Sequence, residues 1–218
     1  MNTWDDLEFW QSKEWQIIQE RLDGLDKSRI PYNPSRELLF AALDATPYDR
    51  TRVAIIGQDP YPSSSHATGI AFSVRKGLKV HPPTLINIFK EYESDLTYPW
   101  PTEGDLTPWC EQGVLLWNSI PTCETGKAAS HRWPEWEYLT KEIVEKLNEQ
   151  QIVFAFLGSI AHNYSQYTDR RSEVICIAHP SPRASLRAFN PFVGSRIFST
   201  INVKLKDQGL PMIDWRLP

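Results

Sequence analysis

A chain of 218 residues, 41% hydrophobic and 23% charged, can bury one substantial core and has the composition of an ordinary soluble globular protein. Its net charge of −4 excludes a protein that coats nucleic acid non-specifically. Three cysteines (Cys110, Cys123, Cys176), odd in number and without a CxxC, offer no metal-ligand spacing.

The first 25 residues lean acidic (Asp5, Asp6, Glu8, Glu14, Glu20, Asp23) and carry Trp4, Trp10 and Trp15. Residues 1–30 read as a helical extension whose tryptophans pack against the fold; a partner surface is the alternative. The start Met1-Asn2-Thr3-Trp4-Asp5-Asp6 is not the basic, acid-poor start of a transit peptide. No apolar run reaches membrane-spanning length, so a soluble, cytoplasmic protein is expected.

A helix is expected from Glu37 to Leu43, followed by an apolar run at Arg52–Gly57 that reads as a strand. The run breaks into Gln58-Asp59-Pro60-Tyr61-Pro62, where two prolines stiffen the turn that carries Asp59. Helical spacing returns from Thr84 to Tyr92. Thr107-Pro108 reads as an N-cap with proline at the first helical position, closed by Gly113. A second apolar run, Gly113–Asn118, precedes a helix in which Trp136, Leu139, Ile143, Val144 and Leu147 repeat with helical period. Two more apolar runs follow, Ile152–Gly158 and Val174–His179, with Cys176 inside the second as a reduced core thiol. From Val174 to Lys206 there is no acid, yet Arg183, Arg187, Arg196, Lys204 and Lys206 lie there, as local phosphate contact would require.

The four runs are near-continuous rather than alternating, which suits strands buried on both faces, and each gap is long enough for a crossover helix. The expected fold is one α/β domain over 1–218, a central four-stranded parallel sheet flanked by helices. The strand ends bring an acid (Asp59), a carboxamide (Asn118), a small-residue turn (Gly158-Ser159) and a histidine (His179) to the sheet's carboxyl edge, the usual ligand crevice. There is no GxGxxG, GxxxxGK[ST], GxSxG or HExxH motif, and no HxE with PCxxC. Metal chemistry and phosphoryl transfer lose support, and spacing alone does not name the reaction.

These residues resemble those of the family 1 uracil-DNA glycosylases. Gly57-Gln58-Asp59-Pro60-Tyr61 is similar to that family's water-activating motif, and Gly69-Ile70-Ala71-Phe72-Ser73-Val74 to the segment carrying its uracil-stacking phenylalanine. His81-Pro82-Pro83-Thr84 resembles its proline-rich loop, and Gly113-Val114-Leu115-Leu116-Trp117-Asn118 its uracil-reading strand. Gly158-Ser159 resembles its glycine-serine loop, and His179-Pro180-Ser181-Pro182 its catalytic histidine and minor-groove loop. Ile213-Asp214-Trp215 resembles the family's C-terminal end, and the motifs keep family order over roughly residues 30 to 218.

The resemblance implies a monofunctional enzyme that flips uracil out of single- or double-stranded DNA and starts base-excision repair, as a monomer without metal or cofactor. Asp59 and His179 would be catalytic, helped by backbone N–H groups near Gln58. Phe72 would stack on the base, Asn118 read its edge, and Tyr61 exclude thymine. Pro82, Pro83, Gly158, Ser159, Ser181, Pro182 and Arg183 would grip DNA. A DNA-mimicking inhibitor protein is a further partner the resemblance allows.

Two positions depart from the family. Pro62 stands where histidine is usual, which implies a reduced rate. Arg183 stands where the family inserts a leucine wedge, which implies weaker base extrusion from duplex. A glycosylase-like DNA-binding or replication-accessory subunit is the alternative, and an altered base preference ranks behind it.

Overall fold

A computed structural model describes residues 3–185 and 189–218. In chain order its strands are β1 (Tyr32–Asn33), β2 (Val53–Gly57), β3 (Val114–Asn118), β4 (Cys123–Glu124), β5 (Val153–Leu157) and β6 (Glu173–Ile177). Its α-helices are α1 (Lys13–Lys27), α2 (Ala41–Ala45), α3 (Pro83–Leu96), α4 (Thr107–Cys110), α5 (Pro134–Leu147), α6 (Ser159–His162), α7 (Pro182–Ser185) and α8 (Ile197–Asp207). No helix among the described residues is long and apolar enough to cross a membrane.

The four apolar runs form one parallel sheet in the order β3-β2-β5-β6. β2 sits inside it, with Val53 opposite both Val114 and Val153 and Gly57 opposite Asn118. The chain leaves β2 toward β3 on one side and leaves β5 toward β6 on the other. The carboxyl ends of β2 and β5 therefore flank a topological switch point, where an open α/β sheet leaves a crevice.

Side chains alternate along each strand, so the sheet builds two cores. Val53, Ile55, Leu116 and Ala155 face a layer of α3, α4, α8 and Trp215. Ala54, Ile56, Trp117, Phe154 and Phe156 face α1, α2, α5 and the N-terminal tryptophans. Trp4, Trp109, Trp117, Trp136 and Trp215 are among the largest fully buried side chains, so most tryptophan here is core. Each fully buried aromatic or aliphatic side chain of this size stabilises the fold by about 1.5–3 kcal/mol.

Three expectations need correction. Cys176 is exposed, because β6 is an edge strand on which Val174 and Cys176, the partners of Phe154 and Phe156, are the exposed positions of an alternating strand. The helix expected over Glu37–Leu43 is a 3₁₀ turn at Arg36–Leu38 and then α2, broken at Phe40 (φ −116°, ψ 19°), whose ring packs 4.9 Å from Trp10. Thr107 does not cap α4 but begins it; the Asp105 carboxylate accepts from the Thr107 N–H (3.0 Å) and hydroxyl (2.6 Å).

Candidate active site

Gly57 ends β2 where two side chains close in. A Cβ there would lie 2.7 Å from Cζ of Phe72 and 3.3 Å from Oδ1 of Asn118, so only glycine admits both. Phe72 has φ +66°, a region that a bulky residue occupies only when its surroundings hold it there. Two bonds do so: Ala71 N–H donates to the Leu116 carbonyl (3.0 Å), and the Tyr61 hydroxyl donates to the Phe72 carbonyl (2.9 Å). Burial pushes the Tyr61 hydroxyl pKa well up, so it stays a donor. The next carbonyl, of Gln58, accepts from Ile120 N–H (2.8 Å) and Ser119 Oγ (3.2 Å), which ties the turn before Asp59 to the end of β3.

Asp59 is the acid of that turn. Burial raises its pKa, opposed by the Ala129 N–H, the Arg132 charge and Gln58. One oxygen, Oδ2, accepts from Ala129 N–H at 2.6 Å, with Ala129 itself left-handed at φ +55°. The loop is anchored behind Ala129, where Ser130 Oγ accepts from Glu124 N–H (2.7 Å) and His131 Nδ1 meets Thr122 Oγ1 (3.0 Å). Sequence reading missed Ala128, Ala129 and Arg132. A backbone N–H leaves no residue-type signal, and Arg132 is one cation among many.

His179 enters from the loop after β6. Its Nδ1 accepts from Ser181 N–H at 3.1 Å, so in the neutral ring the proton sits on Nε2 as a donor. Burial lowers the His179 pKa to about 4, which keeps the ring neutral at neutral pH. Its ring lies 5.8 Å from that of Phe72 at 49°. The loop and the first turn of α8 are held by one face of α3, through residues four apart. Asn87 Nδ2 donates to the Pro180 carbonyl (2.8 Å), Glu91 accepts from the N–H groups of Gly194 and Arg196, and Asp95 accepts from Ser199 N–H (2.8 Å). Polar residues at i, i+4 and i+8 on a helix with an apolar face were the available signal.

Together these groups line a cleft of about 880 Å³. Gln58, Asp59, Tyr61, Phe72, Asn118 and His179 lie on its wall, as do Pro83, Gly158, Ser159, Ser181, Pro182 and Arg183. Pro82 does not: it is buried as the residue capping α3, while Pro83 takes the exposed first position. Pro62 is on the wall, so the first departure from the family faces the cleft. Part of the basic run is engaged in ion pairs. Arg196 pairs with Asp95 (3.7 Å) and Lys204 with Glu173 (2.5 Å), leaving Arg183 as the arginine of that run on the cleft wall among the described residues. Arg187 lies outside the described residues.

Gly158 tests how tightly the site is built. At φ +94° and ψ 161° it occupies a region open essentially to glycine alone, and an added Cβ would lie 2.9 Å from Cβ of His179. Gly158→Ala is expected to lower unfolding free energy by about 1–3 kcal/mol in urea titration. An unchanged midpoint would mean that the turn relaxes freely.

The model of the Uracil DNA glycosylase superfamily matches residues 43–197. A uracil-DNA glycosylase of Acinetobacter baylyi is 42% identical over 212 residues, covering 92% of this chain and 88% of the relative. One from Rhizobium meliloti is 47% identical over 182 residues, covering 82% and 74%. Among solved structures, mimivirus uracil-DNA glycosylase superposes with a TM-score of 0.89 at 26% identity, covering 99% of this chain and 86% of that one. A variant of the mimivirus protein, solved in complex with UGI, superposes equally well at 0.89.

Proposed function

The chain belongs to the uracil-DNA glycosylase superfamily, and from that premise we propose that its cleft hydrolyses the N-glycosidic bond of uracil in DNA, leaving an abasic site and starting base-excision repair. The observation that carries this reading is the convergence of Asp59, Phe72, Asn118 and His179 on the space beside Gly57. A base inside a duplex is paired on its edge and shielded at its sugar, so the substrate is an extruded nucleotide.

Phe72 stacks on the flipped ring. Asn118, buried at 6% exposure, accepts from N3–H and donates to O4, a pattern that cytosine inverts. Tyr61, fixed by its bond to the Phe72 carbonyl, stands where the methyl group of thymine would go. As the bond breaks, positive charge builds on the sugar and negative charge on the departing base. Asp59 stabilises the cation and orients water, its carboxylate held in place by the Ala129 N–H on Oδ2. His179 donates from Nε2 to O2 of the leaving base, which takes the electron pair of the broken bond. Among the described residues no lysine lines the cleft, which supports chemistry that stops at the abasic site without strand cleavage.

The rim residues Pro83, Gly158, Ser159, Ser181 and Pro182 contact phosphates on either side of the extruded nucleotide. The same rim suits an acidic, DNA-mimicking inhibitor protein. The enzyme works as a soluble, intracellular monomer.

A panel of oligonucleotides carrying uracil, thymine or cytosine tests the reading. Alkali-labile sites are expected at uracil alone; equal cleavage at thymine or cytosine, or none at any base, overturns it. Arg183 sets the balance between substrates, because entering the base stack desolvates its charge. Arg183→Leu is expected to raise the duplex-to-single-strand activity ratio by about tenfold, the worth of ~1.4 kcal/mol in extrusion. An unchanged ratio removes Arg183 from the extrusion step.

A further inference from the structure

A second cavity, of about 420 Å³, lies among Trp4, Trp10, Trp15 and Phe40 with Asp5 and Asp44 at its rim. Its lining shares no residue with that of the catalytic cleft. Its floor, Trp4, donates from Nε1 to the Thr46 carbonyl (2.8 Å), and Thr46 Oγ1 donates to the carbonyl of Val114, the first residue of β3 (3.2 Å). The walls are set at steep angles: Trp10 to Trp15 at 87° and 5.6 Å, Trp10 to Phe40 at 80° and 4.9 Å, and Trp15 to Phe40 at 61° and 5.6 Å. Trp10 is locked by its own Nε1, which donates to the Trp4 carbonyl (2.6 Å).

Rings at steep angles beside carboxylates suit a cation, which gains from the ring faces and from the acids together. The chain does not supply that cation itself. Among the described residues its cation–ring contacts are Arg21 on Trp133, Lys141 on Tyr167 and Lys146 on Tyr48. Neither Asp5 nor Asp44 is in an ion pair among the described residues. The two carboxylates at the rim disfavour phosphate there.

We propose that this cavity docks an arginine side chain from a basic segment of a partner protein. The planar guanidinium stacks on the indole faces, its methylene stem lies along apolar wall, and Asp5 and Asp44 accept its outward N–H groups. Because the pocket and the catalytic cleft share no lining residue, the partner can hold the enzyme while DNA occupies the cleft.

The test uses the full chain with nitrogen-15 tryptophan and the blocked peptide acetyl-Ala-Arg-Ala-Arg-Ala-amide. Saturable shifts of the Trp10 and Trp15 indole signals are expected, with none from the same peptide carrying Glu for Arg. Asp5→Asn with Asp44→Asn, both exposed positions, should weaken the arginine peptide by about fivefold or more and leave cleavage of uracil-containing DNA unchanged. The proposal is overturned if the indoles do not shift, if the double variant binds equally well, or if the glutamate peptide binds as tightly. Indole shifts that follow protein concentration without peptide, or that follow an oligonucleotide, also overturn it by naming a second copy or DNA as the occupant.

Discussion

Replacing Asp59 with asparagine is expected to slow uracil release by about 10³-fold, because a unit charge about 4 Å from a developing cation is worth ~4 kcal/mol at an effective dielectric of ~20. The side chains are nearly isosteric, and the asparagine oxygen still accepts from Ala129 N–H, which now meets Asp59 at 2.6 Å. The turn therefore keeps its shape and the substrate still binds. The loss should fall on kcat in single-turnover experiments, with DNA affinity within about twofold of wild type, since only an interaction realised in the transition state is removed. A drop below tenfold would mean that the carboxylate is not the group facing the sugar.

His179→Ala should cost about 10²–10³-fold in kcat, the usual worth of one donor aimed at a developing oxyanion. Gly158, Ser181 and the Asn87–Pro180 bond all fix where that donor points, so a residue elsewhere in the cleft should not replace it. The pH profile discriminates its charge state. With the folded pKa lowered from 6.5 to about 4, His179 is neutral above about pH 4 and donates throughout the neutral range. The kcat/KM profile should then be flat through pH 6.5 and fall only on the acid side. There Asp59, its pKa raised by burial, takes up a proton and loses its charge. A rise in activity as pH falls through 6.5 would instead require an imidazolium.

Much of this site was readable because β-strands declare themselves by unbroken apolar runs and must end abruptly. Asp59, Asn118, Gly158 and His179 each stand at or just beyond a run's end, and parallel order sends all those ends to one edge. What escaped reading acts through the backbone or through tertiary context. Ala129 works by its N–H, which any residue but proline carries. The Asn87, Glu91 and Asp95 ladder looks like ordinary helix polarity until the His179 loop lies across it. Cys176 lies in an apolar run like the others, and only the strand order makes its run the edge. Pro82 and Pro83 read as equivalent, yet the cap position is buried and the first helical position is exposed.

Pro62 keeps one part of the account sharp. A pyrrolidine ring on the cleft wall cannot hold water through its side chain, so the proposed mechanism leaves water to Asp59 and backbone groups of the same turn. The central claim is that this cleft releases free uracil from DNA. The most direct measurement is a single turnover with excess wild-type protein on a single-stranded oligonucleotide carrying one radiolabelled uracil. One equivalent of free uracil is predicted, with the strand intact until alkali is added. Tight binding of the oligonucleotide without free uracil, or a strand broken before alkali, would contradict it.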